Sequence, residues 1–389
     1  MTENRSSQVL MMKNKMDKPE KNPLGIYVHT PYCLQKCRYC DFKSYACEPD
    51  LDYFEQIIAE IRQFAEQYGS RYFVDTVYFG GGTPTIVDAS VQAAVLHAVK
   101  SAWEVNDNAE ISIEANPETL NEEKLRALKD AGFNRISIGV QSFSDDVLKA
   151  LGRVHHADKA RESIILAKKY FDNINIDLMF GLPEQTMGVW QKTLEEALWF
   201  DVNHISFYSL QLEENTPLYD EYKNGKVELP VWESNRAMYH FARGLLKKAG
   251  YHHYEISNMA KPGYECRHNI KYWTMNDYLG FGLGAHSFIQ GYRLERTENE
   301  LIGTPSDVGE LKGDFVFTEL RLVDGFYMKE YREIFGNSFV QDFKKPLDEL
   351  IKDGMLEQTS EGRLKFTDKG LDNTNNVMKK LLNAEENNG

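Results

Sequence analysis

Three of the five cysteines lie within eight residues, where Cys33, Cys37 and Cys40 follow the spacing C-x3-C-x2-C. A loop this short brings three thiolates together, and thiolate ligands favour zinc, copper(I) or an iron–sulfur cluster. A structural zinc site is closed by four ligands, but no later C-x2-C or H-x3-H pair supplies a fourth. Three cysteines on a [4Fe-4S] cluster would leave one iron open. The spacing therefore predicts a reactive centre that accepts a cofactor or substrate at that iron.

Two other interpretations of the cysteine loop stay open at this stage. His29 or Asp41 could complete a zinc site with the three cysteines. A disulfide fits less well, because a C-x2-C pair in a chain without a secretory signal should remain reduced. Cys47 and Cys266 are left over, and either could simply be packed or exposed.

The residues on both sides of the loop carry a resemblance to a known family. The runs Y-x-H-x-P-x-C (residues 27–33) and C-D-F (residues 40–42) resemble the radical S-adenosylmethionine (SAM) superfamily. Within it, they resemble the coproporphyrinogen III oxidase-like branch and its HemW-type haem chaperones. The resemblance implies that Cys33, Cys37 and Cys40 hold a [4Fe-4S] cluster that binds SAM at its open iron.

Composition limits the classes of partner. The chain has 389 residues, of which 42% are hydrophobic, so it can form one large domain and one small one. A formal net charge of −14 argues against broad attraction to nucleic acid or anionic membranes and favours small molecules or proteins. No run of 18 apolar residues occurs, and Lys, Asn and Glu are scattered through the first 22 residues. We expect a cytoplasmic protein with a mobile N-terminal tail.

Strand-like and helix-like segments alternate through the first half of the chain, which indicates β/α units and a parallel sheet. The patterns predict strands at 24–28, 75–79, 110–115, 135–140, 174–180 and 204–210, and helices at 51–68, 90–103, 121–131, 157–170 and 189–199. Six such repeats predict a partial (β/α)6 TIM-like barrel, with an open doubly wound sheet as the alternative. The resemblance to radical SAM proteins favours the barrel.

Beyond the repeats, a helix at 231–249 and a strand at 251–257 are expected, and the pattern changes near residue 311. Helices at 315–322, 328–335, 343–353 and 367–382, with a small hairpin at 354–357 and 363–366, predict a mostly helical, winged-helix-like domain. The predicted organisation is a tail (1–22), the barrel (23–260), a connecting region (261–310), the small domain (311–382) and a frayed tail (383–389). Mixed charges in the small domain favour packing or a protein partner over DNA.

Unusual residues follow the ends of the predicted strands, where barrels bind ligands. A Gly-rich turn at 80–82 lets a ligand approach the backbone, and a carboxylate such as Glu114 can accept hydrogen bonds from both ribose hydroxyls. Arg153 could pair with a carboxylate. The resemblance implies that SAM contacts Tyr27, Tyr39, Gly81, Gly82, Thr83, Glu114, Gln141, Arg153 and Asp177, and that the loop 282–287 closes over the adenine.

The segment from 266 to 273, C-R-H-N-I-K-Y-W, resembles the H-N-x-x-Y-W signature of haem-binding HemW proteins. The resemblance implies haem contacts from His268, Tyr272 and Trp273. An imidazole can ligate haem iron, aromatic rings can pack on a porphyrin, and Arg267 or Lys271 could meet the propionates. Cys266 could also ligate or attach haem, although no C-x2-C-H motif is present. Alternative ligands are His29, His252, His253 and His286.

Phe42 helps to choose between a carrier and an enzyme. Oxygen-independent coproporphyrinogen III oxidases have a fourth cysteine at the position where this chain has Phe42. We therefore expect a haem chaperone that transfers haem to an unidentified acceptor protein, and we assign no catalytic residue. The alternative is the oxidase of porphyrin biosynthesis, which decarboxylates coproporphyrinogen III by SAM-dependent radical chemistry. A structural zinc protein is a third class. Whether SAM is cleaved and whether the cluster drives homodimerisation are left open.

Overall fold

The computed structural model describes residues 21–297 and 300–382. Residues 1–20 of the predicted N-terminal tail and the whole predicted C-terminal tail (383–389) lie outside the described residues. The first half contains six strands and their helices: β1 (Asn22–Thr30), α1 (Leu51–Tyr68), β2 (Tyr72–Gly81), α2 (Ala89–Ala102), β3 (Val105–Ala115), α3 (Glu122–Ala131), β4 (Arg135–Gln141), α4 (Asp145–Ala150), α5 (Ala157–Ala167), β5 (Asn173–Phe180), α6 (Met187–Trp199) and β6 (His204–Ser209).

These six strands are parallel and lie beside one another in chain order. Right-handed crossovers between successive neighbours keep the helices on one side of a sheet, whereas a doubly wound sheet reverses its strand order. The strand order therefore confirms the partial barrel and excludes the doubly wound alternative. β1 and β6 do not pair with each other, so the wall is incomplete.

Further strands extend both edges of the barrel wall. After α7 (Pro217–Lys223) and α8 (Trp232–Lys248), an antiparallel pair β7 (His252–Glu255) and β8 (Asn258–Ala260) adds to β6. The region 261–310 holds α9 (Arg267–Trp273), β9 (Tyr278–Phe281), β10 (His286–Ile289), β11 (Tyr292–Arg296) and β12 (Leu301–Pro305). β9 lies parallel to β1, and the next three strands continue antiparallel. The sequence patterns did not indicate β9–β12, which have four or five residues each and lie in the region predicted to be a connection.

A small C-terminal domain has its own hydrophobic core. It contains α10 (Val308–Glu319), β13 (Phe326–Tyr327), α11 (Met328–Phe335), α12 (Phe339–Lys352), β14 (Leu356–Gln358), β15 (Arg363–Phe366), α13 (Asp368–Asp372) and α14 (Thr374–Leu382). The predicted hairpin is present as β14 and β15, with β13 as a third antiparallel strand. α12 begins four residues earlier than predicted, because Ser338 and Gln341 form a capping box.

The alternation of side chains along the strands separates an apolar outer face from a polar lumen. Ile136, Ile138 and Val140 of β4 are fully buried in the main hydrophobic core. Every second residue of β4 from Arg135 to Gln141 instead lines a cavity. The hydrophobic core therefore holds the strands while the lumen stays available for polar side chains. None of the described helices is long and apolar enough to cross a membrane.

Candidate functional site

A cavity of about 600 Å³ lies between the cysteine loop and the inner face of β1–β6. All three motif cysteines line it, together with every residue predicted to contact SAM: Tyr27, Tyr39, Gly81, Gly82, Thr83, Glu114, Gln141, Arg153 and Asp177. Gly81 and Gln141 are the last residues of β2 and β4. The parallel barrel thus brings to one site residues that are separated by up to 150 positions, as the strand-end argument predicted.

The three cysteines are free thiols and half-buried. The Thr83 hydroxyl lies 3.6 Å from the Cys33 sulfur, and a guanidinium nitrogen of Arg153 lies 3.5 Å from the Cys37 sulfur. Burial raises the pKa of the Cys40 thiol. The loop therefore supplies three sulfur ligands, two of which have a polar or cationic partner that would stabilise a thiolate.

The donor set fits an iron–sulfur cluster better than a single zinc ion. Within residues 21–297 and 300–382, no three His, Cys, Asp or Glu side chains converge on one metal-ion position. His29 is engaged at both ring nitrogens, since Nδ1 lies 3.0 Å from the Tyr27 hydroxyl and Nε2 lies 3.0 Å from the Lys43 carbonyl oxygen. A cluster does not need such convergence, because each thiolate binds a different iron.

Gly82 shows how closely the barrel approaches the cysteine loop. A Cβ at this position would lie 2.9 Å from the Cys33 sulfur and 2.7 Å from the Tyr32 carbonyl oxygen. Only glycine permits that approach. We conclude that Cys33, Cys37 and Cys40 fit a [4Fe-4S] cluster, which when bound supplies electron transfer and an iron with an open coordination position.

Glu114 is a half-buried carboxylate whose two oxygens face different donors. The Tyr78 hydroxyl donates to Oε1 at 2.8 Å, and the Gly81 amide donates to Oε2 at 3.2 Å. Burial raises the pKa of Glu114 to about 7, although both hydrogen bonds oppose the rise. Glu114 is therefore held in place with lone pairs left for ribose hydroxyls, and its charge changes near neutral pH.

Three other predicted SAM residues are also fixed by their neighbours. Gln141 has a φ of 65°, a left-handed conformation uncommon outside glycine, and its side-chain oxygen accepts from the Tyr208 hydroxyl at 2.9 Å. Asp177 accepts from Asn175 at 2.8 Å, and burial raises its pKa. Arg153 donates to the Gly139 carbonyl oxygen at 2.7 Å but keeps a buried Nε without a partner. Arg153 therefore has a spare donor for a carboxylate.

Tyr78 and Tyr208 were not predicted, although they hold Glu114 and Gln141. Both line the cavity from the inner faces of β2 and β6. The two-residue alternation of each strand could have revealed them, because Tyr78 and Tyr208 share a face with Gly80 and Leu210 at their strand ends. Sequence reasoning looked at the strand ends alone and missed the residues that support them.

The helix that carries the H-N-x-x-Y-W signature packs against the lumen side of β2. His268 is completely buried, with Nδ1 2.8 Å from the Thr76 hydroxyl and Nε2 2.8 Å from the Tyr272 hydroxyl. Its ring stacks on Tyr78 at 5.2 Å between centroids. Burial lowers the pKa of His268 to about 3, so the imidazole is neutral. In this conformation, a ring nitrogen can reach an iron atom only if one of these hydrogen bonds opens.

The other residues of this segment lie at different depths. Tyr272 lines the cavity. The guanidinium carbon of Arg321 lies 4.6 Å from the ring centroid of Trp273 and packs over that ring. Lys271 is buried and forms an ion pair with Asp75 at 2.8 Å. Arg267 donates to backbone carbonyl oxygens of residues 108 and 75. The two cations proposed to meet propionates are therefore engaged within the protein.

The remaining candidates are scattered. Cys266 is buried, and burial raises its pKa to about 12. His252 and His286 are exposed, whereas His253 is buried and its Nδ1 accepts a 3.3 Å hydrogen bond from Arg243 Nε. Among the cavity-lining residues identified in the described chain, none comes from 282–287, the loop expected over the adenine. Phe42 lines the cavity at the cysteine loop with 59% of its surface exposed.

Comparisons with known proteins agree with this geometry. A family model described as the radical SAM superfamily matches residues 27–197, and one described as the HemN C-terminal domain matches residues 313–372. Among solved structures, coproporphyrinogen III oxidase (HemN) from Escherichia coli has a TM-score of 0.80 at 22% identity. That match covers 98% of this chain and 93% of that structure, and it shows the same fold.

Curated relatives give a narrower assignment. The haem chaperone HemW of Lactococcus lactis subsp. lactis is 33% identical over 93% of this chain and 98% of its own length. HemW of Bacillus subtilis is 35% identical over 88% of this chain and 95% of its own. Because these matches extend through the barrel and into the C-terminal domain, the chain belongs to the HemW family of the radical SAM superfamily.

Proposed function

We propose that this protein is a haem chaperone, which binds haem and transfers it to an acceptor protein. The observation that carries the proposal is its similarity to HemW proteins over 98% and 95% of their lengths, which includes both domains. Those relatives are named haem chaperones. The proposal extends their activity to this chain, with the acceptor protein still to be identified.

We further propose the cofactors and the residues that hold them. Cys33, Cys37 and Cys40 would ligate a [4Fe-4S] cluster, and SAM would occupy the cavity beside it. Support comes from the three free thiols and the nine predicted residues that line one cavity. In this arrangement Glu114 would accept the ribose hydroxyls, and the spare Nε of Arg153 would meet the carboxylate of SAM.

Phe42 supports a carrier more than an enzyme. The resemblance places a cysteine at this position in the decarboxylating relatives, whereas here an aromatic ring stands exposed beside the cavity. An exposed aromatic ring suits contact with a flat apolar ligand such as a porphyrin. Our proposed haem contacts are His268, Tyr272 and Trp273. For His268 to ligate the haem iron, its hydrogen bond to Tyr272 or to Thr76 must break.

A haem titration of the anaerobically reconstituted protein tests the proposal. We expect saturable one-to-one binding in the Soret band, and weaker binding in His268→Ala. His97→Ala serves as the matched control, because His97 is exposed on α2 and away from the cavity. Absence of saturable binding to the wild-type protein would refute the chaperone.

A specific observation also supports the decarboxylase as a second candidate. The nine residues proposed to contact SAM line the same cavity as the three thiols, as SAM cleavage would require. In that function the cluster-loaded protein would convert coproporphyrinogen III to protoporphyrinogen IX with SAM and a reductant. Product formation without stoichiometric haem binding would favour the enzyme, and haem binding without product would favour the chaperone.

We propose a cytoplasmic location and a cluster-dependent homodimer for this protein. All five cysteines are free, and free thiols persist in reducing compartments. Light scattering of the apo and cluster-loaded forms tests the dimer, which predicts a doubled mass only when the cluster is present. Fractionation of cells that produce the protein tests the location.

A further inference from the structure

The cavity continues below the SAM residues, along the inner face of β4. Arg135, Ser137 and Gly139 alternate along this strand and all line it. Barrels of this kind usually fill the interior with layers of packed side chains. Here the space reaches the first residue of the strand, at the end opposite to the cysteine loop. The lumen therefore has a lower end that the proposed cluster and SAM contacts do not use.

Arg135 lies at this lower end with unused hydrogen-bond donors. Its side chain is 2% exposed, and its Nε and Nη1 atoms are buried without a hydrogen-bond partner among the described residues. Guanidinium groups remain charged in proteins, and a buried charge is costly unless a partner compensates it. A ligand that supplies an anion would satisfy both atoms.

The carboxylates that interact electrostatically with Arg135 accept hydrogen bonds from other groups. Glu110 accepts hydrogen bonds from the backbone amides of Arg267 and His268, both at 3.1 Å. Glu114 accepts from Tyr78 and a backbone amide, and Asp177 accepts from Asn175 and Ser137. These contacts hold the acids in position. Among the described residues, the charge of Glu110 partly compensates Arg135, but Nε and Nη1 of Arg135 have no hydrogen-bond partner.

Besides Arg135 and Arg153, a third guanidinium lines the same cavity. Arg321, which follows α10, lines the cavity and stacks on the Trp273 ring at 4.6 Å. Its Nε atom is also buried without a partner. Arg135 of the barrel and Arg321 of the C-terminal domain therefore both bring spare donors to the cavity that Tyr272 also lines.

We propose that the lower end of the lumen is a carboxylate-binding subsite, with Arg135 as the principal donor and Arg321 as the second. A guanidinium presents paired N–H groups that match the two oxygens of a carboxylate. This assignment rests on the proposed haem-binding function for the identity of the ligand, and the carboxylate is a propionate of haem. The subsite itself follows from the unpaired buried donors.

The test compares haem with its dimethyl ester, in which both propionates are esterified. Titrations use the full-length, cluster-loaded protein with SAM present, in the wild type, Arg135→Gln, Arg135→Lys and the exposed control Arg126→Gln. We expect Arg135→Gln to weaken haem binding about tenfold or more, as for loss of a hydrogen bond to a charged group. It should leave binding of the ester and the cluster absorbance unchanged, and Arg135→Lys should weaken haem binding by an intermediate factor.

The wild-type protein alone can overturn the subsite, whether or not the variants fold. Equal affinity for haem and its ester would contradict it, as would an equal loss of both in Arg135→Gln. If the wild type binds neither porphyrin, the proposed haem-binding function is refuted. Saturation-transfer NMR with propionate and methyl propionate then tests whether the carboxylate subsite exists. A signal from propionate that disappears in Arg135→Gln would support it. If propionate gives no signal, or if its signal is unchanged in Arg135→Gln, the carboxylate subsite is refuted.

Discussion

Replacing Tyr78 with Phe should change the pH dependence of SAM binding. The Tyr78 hydroxyl donates a 2.8 Å hydrogen bond to Glu114, whose pKa burial raises to about 7. A hydrogen bond to a charged group contributes about 1.5–3 kcal/mol, and about 1.4 kcal/mol corresponds to one pKa unit. Since the Gly81 amide still donates to the carboxylate, we expect the pKa of Glu114 to rise by about one unit.

The consequence for binding follows from the fraction of Glu114 that carries charge. At pH 7, about half of the wild-type carboxyl groups but only about one tenth in Tyr78→Phe would be ionised, so SAM affinity should fall about fivefold. At pH 9 the two proteins should bind SAM almost equally. Equilibrium dialysis of SAM against the cluster-loaded protein from pH 6 to 9 measures, for each protein, the pH at which SAM affinity is half of its maximum.

A matched control is available on the protein surface. The Tyr170 hydroxyl donates a 2.8 Å hydrogen bond to exposed Glu122, so Tyr170→Phe removes the same kind of contact away from the cavity. This variant should bind SAM as the wild type does at every pH. The reasoning would be refuted if the SAM affinity of Tyr78→Phe had the same pH midpoint as that of the wild type. It would also be refuted if SAM affinity fell by the same factor at every pH, which would indicate a packing role for the Tyr78 hydroxyl.

Three further predictions concern the cluster, the haem segment and folding. Cys37→Ala should abolish the visible absorbance of the reconstituted iron–sulfur cluster. Cys47→Ala should retain it, because Cys47 is exposed and outside the motif. Retention in both variants would contradict the ligand assignment. Tyr272→Phe frees Nε2 of His268 and should tighten haem binding in the Soret titration, so weaker binding would argue against His268 as the ligand. Burial raises the pKa of Glu114 to about 7, so folding stability should fall as pH rises from about 4.5 to 7, by up to about 3 kcal/mol. Glu114→Gln should flatten this dependence in urea unfolding at pH 5 and pH 8, and an unchanged slope would show that Glu114 does not cause it.

The buried position of His268 gives the haem segment a structural role as well as the proposed binding role. Its ring stacks on Tyr78, which in turn holds Glu114 through a hydrogen bond. A movement of His268 toward haem iron would therefore disturb a residue that supports the SAM site. These contacts would connect the proposed haem ligation with the proposed SAM binding, and measuring SAM affinity with and without haem would quantify the connection.

Much of the site could be predicted from the sequence because its geometry depends on local spacing. Three cysteines separated by three and two residues must lie close together in a loop. Residues that follow successive parallel strands must meet at one edge of the barrel, whatever the details of packing. Gln141 is the last residue of β4, whereas Glu114 and Asp177 lie inside β3 and β5. The strand pattern and the family resemblance together led to the expectation that they share one cavity, which all three line.

Other features depended on contacts between distant parts of the chain, and only the tertiary structure decided them. His268 is held by Thr76, a residue 192 positions away, and Glu110 caps the same helix from 158 positions away. The strands β9–β12 lie in the region predicted to be a connection and exist because β1 offers an edge for pairing. From the sequence, Arg135 was only the first residue of a predicted strand. In the structure it is a buried cation whose Nε and Nη1 have no hydrogen-bond partner among the described residues. Local sequence could not predict this, because burial depends on the assembled barrel.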